Sequence, residues 1–378
     1  MSGIYIHIPF CKQACHYCDF HFVTSMKHKN RLVAALQQEL VLRKKESEQN
    51  KIETIYFGGG TPSVLESTAI DAILDTIYTH YEVIDLPEIT LEANPDDLTP
   101  EKIEALATTK INRLSIGVQS FFEEDLKLMN RAHNAAEAMK CISLSRKRFP
   151  NISIDLIYGI PGLTDDRWRE NLRIALELEV PHISSYALTV EDDTALKSFI
   201  EKGIIDEVDD EQAQRQFNIL LDVMQLHAYE NYEFSNFGKA GYFSKNNTAY
   251  WTGKSYIGIG PSAHSFDGER RAWNINNNIH YMKAIEANTL PQEVEELSLV
   301  DRYNEYIMTG LRTIYGVSLN FVESKFGENF KVYLLKQSQS YLKDHLLYLD
   351  GDTLLVTRKG KFLSDGIASE LFMLNLTT

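Results

Sequence analysis

The sequence predicts an α/β fold: a partial (β/α)6 barrel of parallel strands followed by a small C-terminal α+β, winged-helix-like domain. Three observations predict it. Short runs rich in β-branched and aromatic residues alternate with helical periodicity through residues 1–230. Cysteines, glycines and lone carboxylates stand on or just past those runs, where the C-terminal ends of parallel strands gather chemistry. From about Leu297 the pattern changes to helices around one short hairpin.

The expected strands are Ile4–Ile8, Thr54–Phe57, Ile89–Glu92, Arg113–Gly117, Ile152–Ile157 and His182–Leu188. The expected helices between them are Lys29–Glu48, Val64–Tyr78, Pro100–Thr108, Glu123–Met129, Ala135–Arg148 and Asp165–Glu179. Thr99-Pro100 and Asp165 are good helix starts. Strands joined through helices pair in parallel with right-handed crossovers. An acidic stretch, Asp206 to Glu211, precedes a helix to about Tyr229. Residues 231–296 are rich in Asn, Gly and aromatics with little periodicity, and read as loops covering the barrel mouth. The tail carries a hairpin, Leu346–Leu349 with Leu354–Thr357, turning through Asp350-Gly351-Asp352, and a last helix over Leu363–Met373. The expected organisation is thus a barrel over 1–230, a covering segment over 231–296 and a C-terminal domain over 297–378.

A length of 378 residues favours two domains over one, and 44% hydrophobic with 24% charged residues is ordinary for a soluble enzyme. The net charge of −15 argues against nucleic acid and against anionic membrane surfaces. The C-terminal segment balances nine basic with nine acidic residues, so its winged-helix character brings no electrostatic support for DNA binding. No apolar run approaches the roughly 20 residues of a membrane helix, and Met1-Ser2-Gly3-Ile4-Tyr5 does not open a signal peptide. Clustered free cysteines place the expected location in the reducing cytoplasm.

Cys11, Cys15 and Cys18 follow the first strand with the spacing C-x3-C-x2-C. Three thiolates on one tight loop can hold three irons of a cubic [4Fe–4S] cluster and leave the fourth open. Cys141 is the only other cysteine, and no second close pair exists to complete a four-cysteine site. Zinc, with His7, His16 or His21 as fourth ligand, is the alternative, at a spacing unusual for it. Lys12 and His16 are expected to favour the deprotonated thiols.

The turn Gly58-Gly59-Gly60-Thr61-Pro62 permits positive φ and close backbone approach, either as a plain turn or as a cradle for the polar end of a cofactor. It lacks the Gly-Lys-Ser/Thr ending of a Walker loop. Gly258-Ile259-Gly260 does not complete a dinucleotide fingerprint. Glu92, Gln119 and Asp155 each read alone as a satisfied buried polar group; three at one barrel mouth read as a ligand site. Arg131 is a solvated helix-end charge or a carboxylate clamp. The cluster Asn246-Asn247-Thr248-Ala249-Tyr250-Trp251 reads as a packed loop, and His264 as a hydrogen-bonded structural histidine.

At the cysteine loop the sequence resembles the radical S-adenosylmethionine (SAM) enzymes. Tyr5-Ile6-His7-Ile8-Pro9-Phe10-Cys11 resembles the oxygen-independent coproporphyrinogen III oxidase family. The resemblance continues through the glycine turn, Ser115–Phe121, Asp155–Gly162 and Tyr232–Phe237 into the C-terminal domain. Within the family the chain looks most like the heme chaperone (HemW-type) branch. Phe20 stands where the oxidases carry a fourth cysteine, and Cys11 lies close to the start, where the oxidases have a longer arm. One departure is Asn246, which stands where that branch has the histidine of H-N-x-x-Y-W; if that histidine ligates heme, this chain needs another ligand, such as His264, or binds heme differently.

The resemblance implies a [4Fe–4S] cluster on Cys11, Cys15 and Cys18 whose open iron takes the amino and carboxylate groups of SAM. Tyr5, Gly59, Gly60 and Thr61 would line the cofactor. Glu92, Gln119 and Asp155 would contact its ribose and methionine groups, Arg131 its carboxylate, and Tyr17 and Ala187 would pack near adenine. The implied activity is heme binding and transfer to acceptor proteins, with an electron donor for the cluster. The alternative is a coproporphyrinogen III dehydrogenase, which turns two propionates into vinyl groups; a radical SAM enzyme on another substrate is the third reading. Replacing Cys15 with Ala is expected to abolish the cluster, scored as iron and sulfide content after anaerobic reconstitution; an intact cluster would contradict the ligand assignment.

Overall fold

Six parallel strands stand side by side in chain order in the computed structural model, which describes residues 2–47 and 50–374. They are β1 (Ser2–Ile8), β2 (Ile52–Gly59), β3 (Val83–Ala93), β4 (Arg113–Gln119), β5 (Asn151–Tyr158) and β6 (His182–Ala187). The helices α1 (Lys29–Arg43), α2 (Ser67–His80), α3 (Pro100–Ala107), α4 (Glu123–Leu128), α5 (Ala135–Ser145) and α6 (Asp165–Glu177) connect them. Register pairs Tyr5 with Tyr56, Tyr56 with Thr90, Glu92 with Ser115 and Asp155 with Ser184. The strand ends that carry the expected chemistry therefore meet at one mouth.

Period-two alternation explains the layering. Ile4, Ile6 and Ile8 are fully buried in the main hydrophobic core, as are Ile55, Phe57, Leu91, Leu114, Ile116 and Ile154. The alternate positions, Tyr5, His7, Tyr56, Glu92, Arg113, Ser115 and Asp155, put polar groups on the opposite, concave face. Thr99 and Thr164 cap α3 and α6, accepting from Lys102 N and Arg167 N at 3.2 Å each, as a side-chain oxygen before a helix should. The helix expected to reach Glu48 leaves α geometry after Arg43 for a 3-10 turn over Lys44–Ser47, and Glu48 itself lies outside the described residues.

The loop reading of 231–296 is overturned. After α7 (Ala195–Glu201) and α8 (Asp210–Leu226) come β7 (Glu230–Glu233), β8 (Asn236–Gly238), α9 (Lys245–Trp251), β9 (Tyr256–Ile259), β10 (His264–Phe266), β11 (Arg270–Asn274), α10 (Asn278–Glu286) and β12 (Gln292–Glu296). These strands extend the barrel sheet at both edges, β9 to β12 outward from β1 and β8 with β7 outward from β6. The barrel stays open because each edge pairs with an added strand instead of with the other. Strands of three to five residues are too short to show alternation, and their pairing is set by the edge they meet.

One buried carboxylate fastens this addition. Glu39 of α1, fully buried, accepts from the Tyr281 hydroxyl, from Asn274 Nδ2 and Gly260 N at 2.8 Å each, and pairs with Arg43 at 3.3 Å. Burial pushes its pKa up, and these partners oppose the shift. Gly258 lies opposite Tyr5 of β1, and a Cβ there would fall 1.9 Å from the His264 carbonyl oxygen.

The remaining elements are α11 (Leu299–Leu311), β13 (Val317–Ser318), α12 (Leu319–Phe326), α13 (Glu328–Lys343), β14 (Leu347–Asp350), β15 (Thr353–Val356) and α14 (Ser364–Glu370). The expected hairpin is present as β14–β15, turning through Gly351 at φ +60. The last helix is shorter than expected, with a 3-10 segment over Arg358–Leu363 before it. A separate core of Tyr303, Ile307, Val322, Leu334, Leu354 and Ile367 fills this part. Gly258→Ala is expected to destabilise the protein by about 1–3 kcal/mol, as overpacking against backbone does; chemical denaturation with an unchanged midpoint would contradict the close approach.

Candidate functional site

The cysteine loop leaves β1 and is stitched down on several sides. Cys11 N donates to Val23 O at 3.1 Å and Thr61 N to Phe10 O at 2.7 Å. His16 N donates to Met129 O at 3.1 Å, and Asn130 Nδ2 to Ala14 O at 2.7 Å. Cys11, Cys15 and Cys18 are all half-buried and free. Gly60 permits the contact with the loop, since a Cβ there would lie 2.8 Å from Phe10 O and 2.9 Å from Ile8 O. Gly59, at φ +107, turns the chain where a Cβ would strike the His7 ring at 2.6 Å.

Two side chains reach the sulfurs. Thr61 Oγ1 donates to Cys11 Sγ at 3.4 Å, and Arg131 Nη1 to Cys15 Sγ at 3.2 Å. Arg131 Nη2 also donates to Asn94 Oδ1 and Gly117 O at 2.7 Å each, while Asn94 Nδ2 donates to Thr61 Oγ1 at 3.2 Å. Asn94 was overlooked in the sequence although it directly follows β3; its place at a strand end before Pro95 was the available signal. Gln119 ends β4 at φ +70, beside a register shift against β5. Bare Gly117 leaves room there, with Gln119 Nε2 at 3.0 Å and Arg131 Nη2 at 3.2 Å from the position of an added Cβ.

The expected role of the loop's own cations is not borne out. Lys12 reaches across to Asp96, at 3.2 Å, and to Asp97. His16 Nδ1 donates to Leu128 O at 2.8 Å, with its ring edge-on to Phe199. Burial pushes the Cys11 thiol up, and the Cys18 thiol up to about 11. Arg131 is the cation beside the sulfurs, and iron binding itself must draw the thiol protons off.

The zinc alternative loses its fourth ligand. His7 has Nε2 3.0 Å from His21 O and Nδ1 3.3 Å from the Tyr5 hydroxyl, while His21 Nε2 lies 2.7 Å from Asn278 Oδ1. Among the described residues no three His, Cys, Asp or Glu side chains gather closely enough to share one metal ion. A cluster makes a different demand, because each thiolate binds its own iron.

Inside the mouth, Glu92 and Asp155 are half-buried carboxyls. Burial is the main cause that lifts Glu92 to about 7 and Asp155 to about 6. Tyr56 donates to Glu92 at 2.7 Å and Ser115 to Asp155 at 3.4 Å. Tyr5 stacks on Tyr56, with ring centroids 6.1 Å apart. The buried Tyr17 hydroxyl lies within the electrostatic reach of Arg131, Cys15, Cys18 and Asp155. Ala187 ends β6 opposite Tyr158. Arg131 Nε is buried without a partner. An orphaned guanidinium N–H, a glycine cradle and two carboxyls awaiting hydrogen-bond donors fit the ammonium, carboxylate and hydroxyl groups of a SAM molecule beside the cysteines.

Asn246 and His264 lie outside this cluster. Asn246 is buried, accepts from Thr54 Oγ1 at 3.2 Å, and starts α9, whose N-terminal amides donate to Glu88. His264 is exposed on β10 and faces Trp273. A cavity of about 1090 Å³ adjoins the mouth between barrel, added strands and C-terminal helices. Tyr250, Trp251 and Tyr256 line it from one side, and Tyr306, Phe321 and Phe326 from the other. Tyr256, Phe266, Arg271 and Glu295 form one cross-strand row on its wall.

These two carboxyls contribute a pH dependence. Their folded-state values lie above the ordinary 4.5 and 3.8, so the folded protein holds protons that the unfolded chain has released. Their contribution to the stability of the unliganded protein is lost as pH rises from about 4 through about 7, while His7 and His133, held down to about 4 by burial, contribute in the opposite sense. Thermal melts of wild type and Glu92→Gln across this range isolate the Glu92 share: the wild type should lose melting temperature relative to the variant as pH rises, and a difference that stays constant with pH would contradict the raised carboxyl.

Residues 5–175 match the model of the radical SAM superfamily, and residues 297–363 that of the HemN C-terminal domain. The chain is 33% identical to the heme chaperone HemW of Bacillus subtilis over 97% of its own length and 98% of that protein. It is 34% identical to the heme chaperone HemW of Lactococcus lactis, over 98% and 97%. Its fold matches the solved structure of coproporphyrinogen III oxidase (HemN) from Escherichia coli, a radical SAM enzyme, with a TM-score of 0.85 at 23% identity, covering 98% of this chain and 90% of that one. A three-cysteine loop on an open (β/α)6 barrel, joined to a HemN-type C-terminal domain, belongs to the radical SAM superfamily, and this chain is a member of its HemW family.

Proposed function

We propose that this protein is a heme chaperone that binds a [4Fe–4S] cluster and SAM at the barrel mouth and carries heme in the adjoining cavity. The supporting observation is a large cavity with aromatic and cationic lining that shares none of that lining with the cysteine loop. Its volume, about 1090 Å³, lies just above the range for small-molecule sites, roughly 300–1,000 Å³. Aromatic side chains supply flat apolar contact, while Arg271, Arg302, Arg312 and Lys325 supply cations for the acidic edge of the ring. Tyr186 and Tyr250 connect the compartments, for both line the cavity and feel the Glu92 carboxyl.

When bound, the cluster and SAM supply one-electron chemistry that side chains lack. Cys11, Cys15 and Cys18 would hold three irons. Arg131 would meet the SAM carboxylate with its free Nε–H, on a guanidinium already fixed by Asn94 and Gly117. Gly59, Gly60 and Thr61 would bring backbone close to the methionine part. Glu92, Gln119 and Asp155 would meet amino and hydroxyl groups, with Tyr5, Tyr17 and Ala187 against the remaining faces. The heme iron would take a ligand other than Asn246 or His264: one is committed to the α9 start, and neither lines the cavity. Acceptor proteins, a one-electron donor and a cytoplasmic location complete the reading. No helix among the described residues is long and apolar enough to cross a membrane.

Anaerobically reconstituted protein with SAM, a reductant and coproporphyrinogen III should release no CO2 and form no protoporphyrinogen IX, followed by mass spectrometry. Conversion over many turnovers would make the protein a decarboxylating dehydrogenase and overturn the carrier reading.

A further inference from the structure

Two residues of opposite charge in the cavity lining, Glu233 and Arg312, each hold a buried polar atom with no hydrogen-bond partner. Glu233 is 2% exposed. Its Oε1 accepts from Ser235 N at 3.2 Å and from Asn236 Nδ2, while Oε2 is buried without a partner. Arg312 donates through Nη1 to both Asp365 oxygens at 2.6 Å. Its guanidinium lies 5.0 Å from the ring centroids of both Phe234 and Trp251. Its Nε is also buried without a partner. The two residues are neighbours, because Glu233 bridges Thr313 across the antiparallel contact of the barrel edge with the end of α11.

A buried donor or acceptor left unpaired is unfavourable, because it has given up its bonds to water. The site is therefore completed by a group that accepts from Arg312 and places a proton on Glu233. A lone water has this capacity, and so has a carboxyl group. The surroundings favour the carboxyl: a guanidinium gripped by two rings and an aspartate is an anion receptor whose ordering is complete before binding, and water would need no such rigidity.

We propose that Glu233 and Arg312 form a latch for one propionate carboxyl of the tetrapyrrole, an inference that rests on the heme reading. One propionate oxygen accepts the Arg312 Nε–H, and the other shares a proton with Glu233 Oε2. The cargo is thereby tied to the joint between the barrel edge and the C-terminal domain, and Trp251 acts as a positioning residue that holds the guanidinium.

The test compares hemin with its dimethyl ester, each titrated into the full-length protein and followed at the Soret band. Loss of one charge-assisted hydrogen bond should weaken the ester about 10-fold or more. Arg312→Gln should erase that preference by weakening hemin alone. Glu233→Gln, whose amide N–H can donate to the propionate, should keep it, and Glu233→Leu, which removes one of the two contacts, should reduce it. If loss of the Asp365 pair unfolds Arg312→Gln, Glu233→Leu carries the same comparison. Equal binding of hemin and ester by the wild type, or equal weakening of both ligands by Arg312→Gln, overturns the latch. Binding of neither ligand overturns the heme reading together with it.

Discussion

The site depends on one half-buried guanidinium. Arg131 holds a cysteine sulfur from β1, the Asn94 side chain after β3 and the Gly117 carbonyl of β4 in a single plane of donors. A planar fork can do this where an ammonium cannot, because delocalisation over the guanidinium fixes the directions of its N–H groups. Removing its charge would cost more than three hydrogen bonds. The cysteine loop would lose the one cation near its sulfurs, and Asn94 would lose the contact that aims it at Thr61.

The rest of the molecule can be read as support for that plane. Parallel register brings the strand ends level, and the apolar side of each strand buries against helices, so polarity is confined to the concave face. A buried polar face is costly unless its groups are paired. The barrel meets that demand with local pairs, Tyr56 with Glu92 and Ser115 with Asp155, and leaves a few atoms for a ligand. Openness is part of the same design. Edges that pair with added strands leave a gap, and a large aromatic cavity forms where those strands meet the C-terminal helices. A cofactor compartment and a cargo compartment then share the walls Tyr186 and Tyr250.

Much of this was legible in the sequence, for physical reasons that differ by element. The six barrel strands are long and alternate against a continuous core, so their pattern survives without neighbours. The three cysteines and the glycine turn declare themselves through chemistry that little else uses. The added strands did not, because β8 and β10 are three residues long and owe their shape to the edges they join. Lys12 and His16 were misjudged for a similar reason. Proximity in sequence put them near the sulfurs, while Asp96, Asp97 and the Leu128 carbonyl, distant in sequence, took their side chains. Arg131 was visible as a charge in the sequence, but its partners were not.

The central claim is that cofactor and cargo occupy separate, adjoining compartments. Hemin titration of the reconstituted protein and of its cluster-free Cys15→Ala variant tests it most directly. The account predicts one heme per chain in both, with similar affinity, because the cavity draws none of its lining from the cysteine loop. Loss of heme binding together with the cluster, in a variant that remains folded, would contradict it.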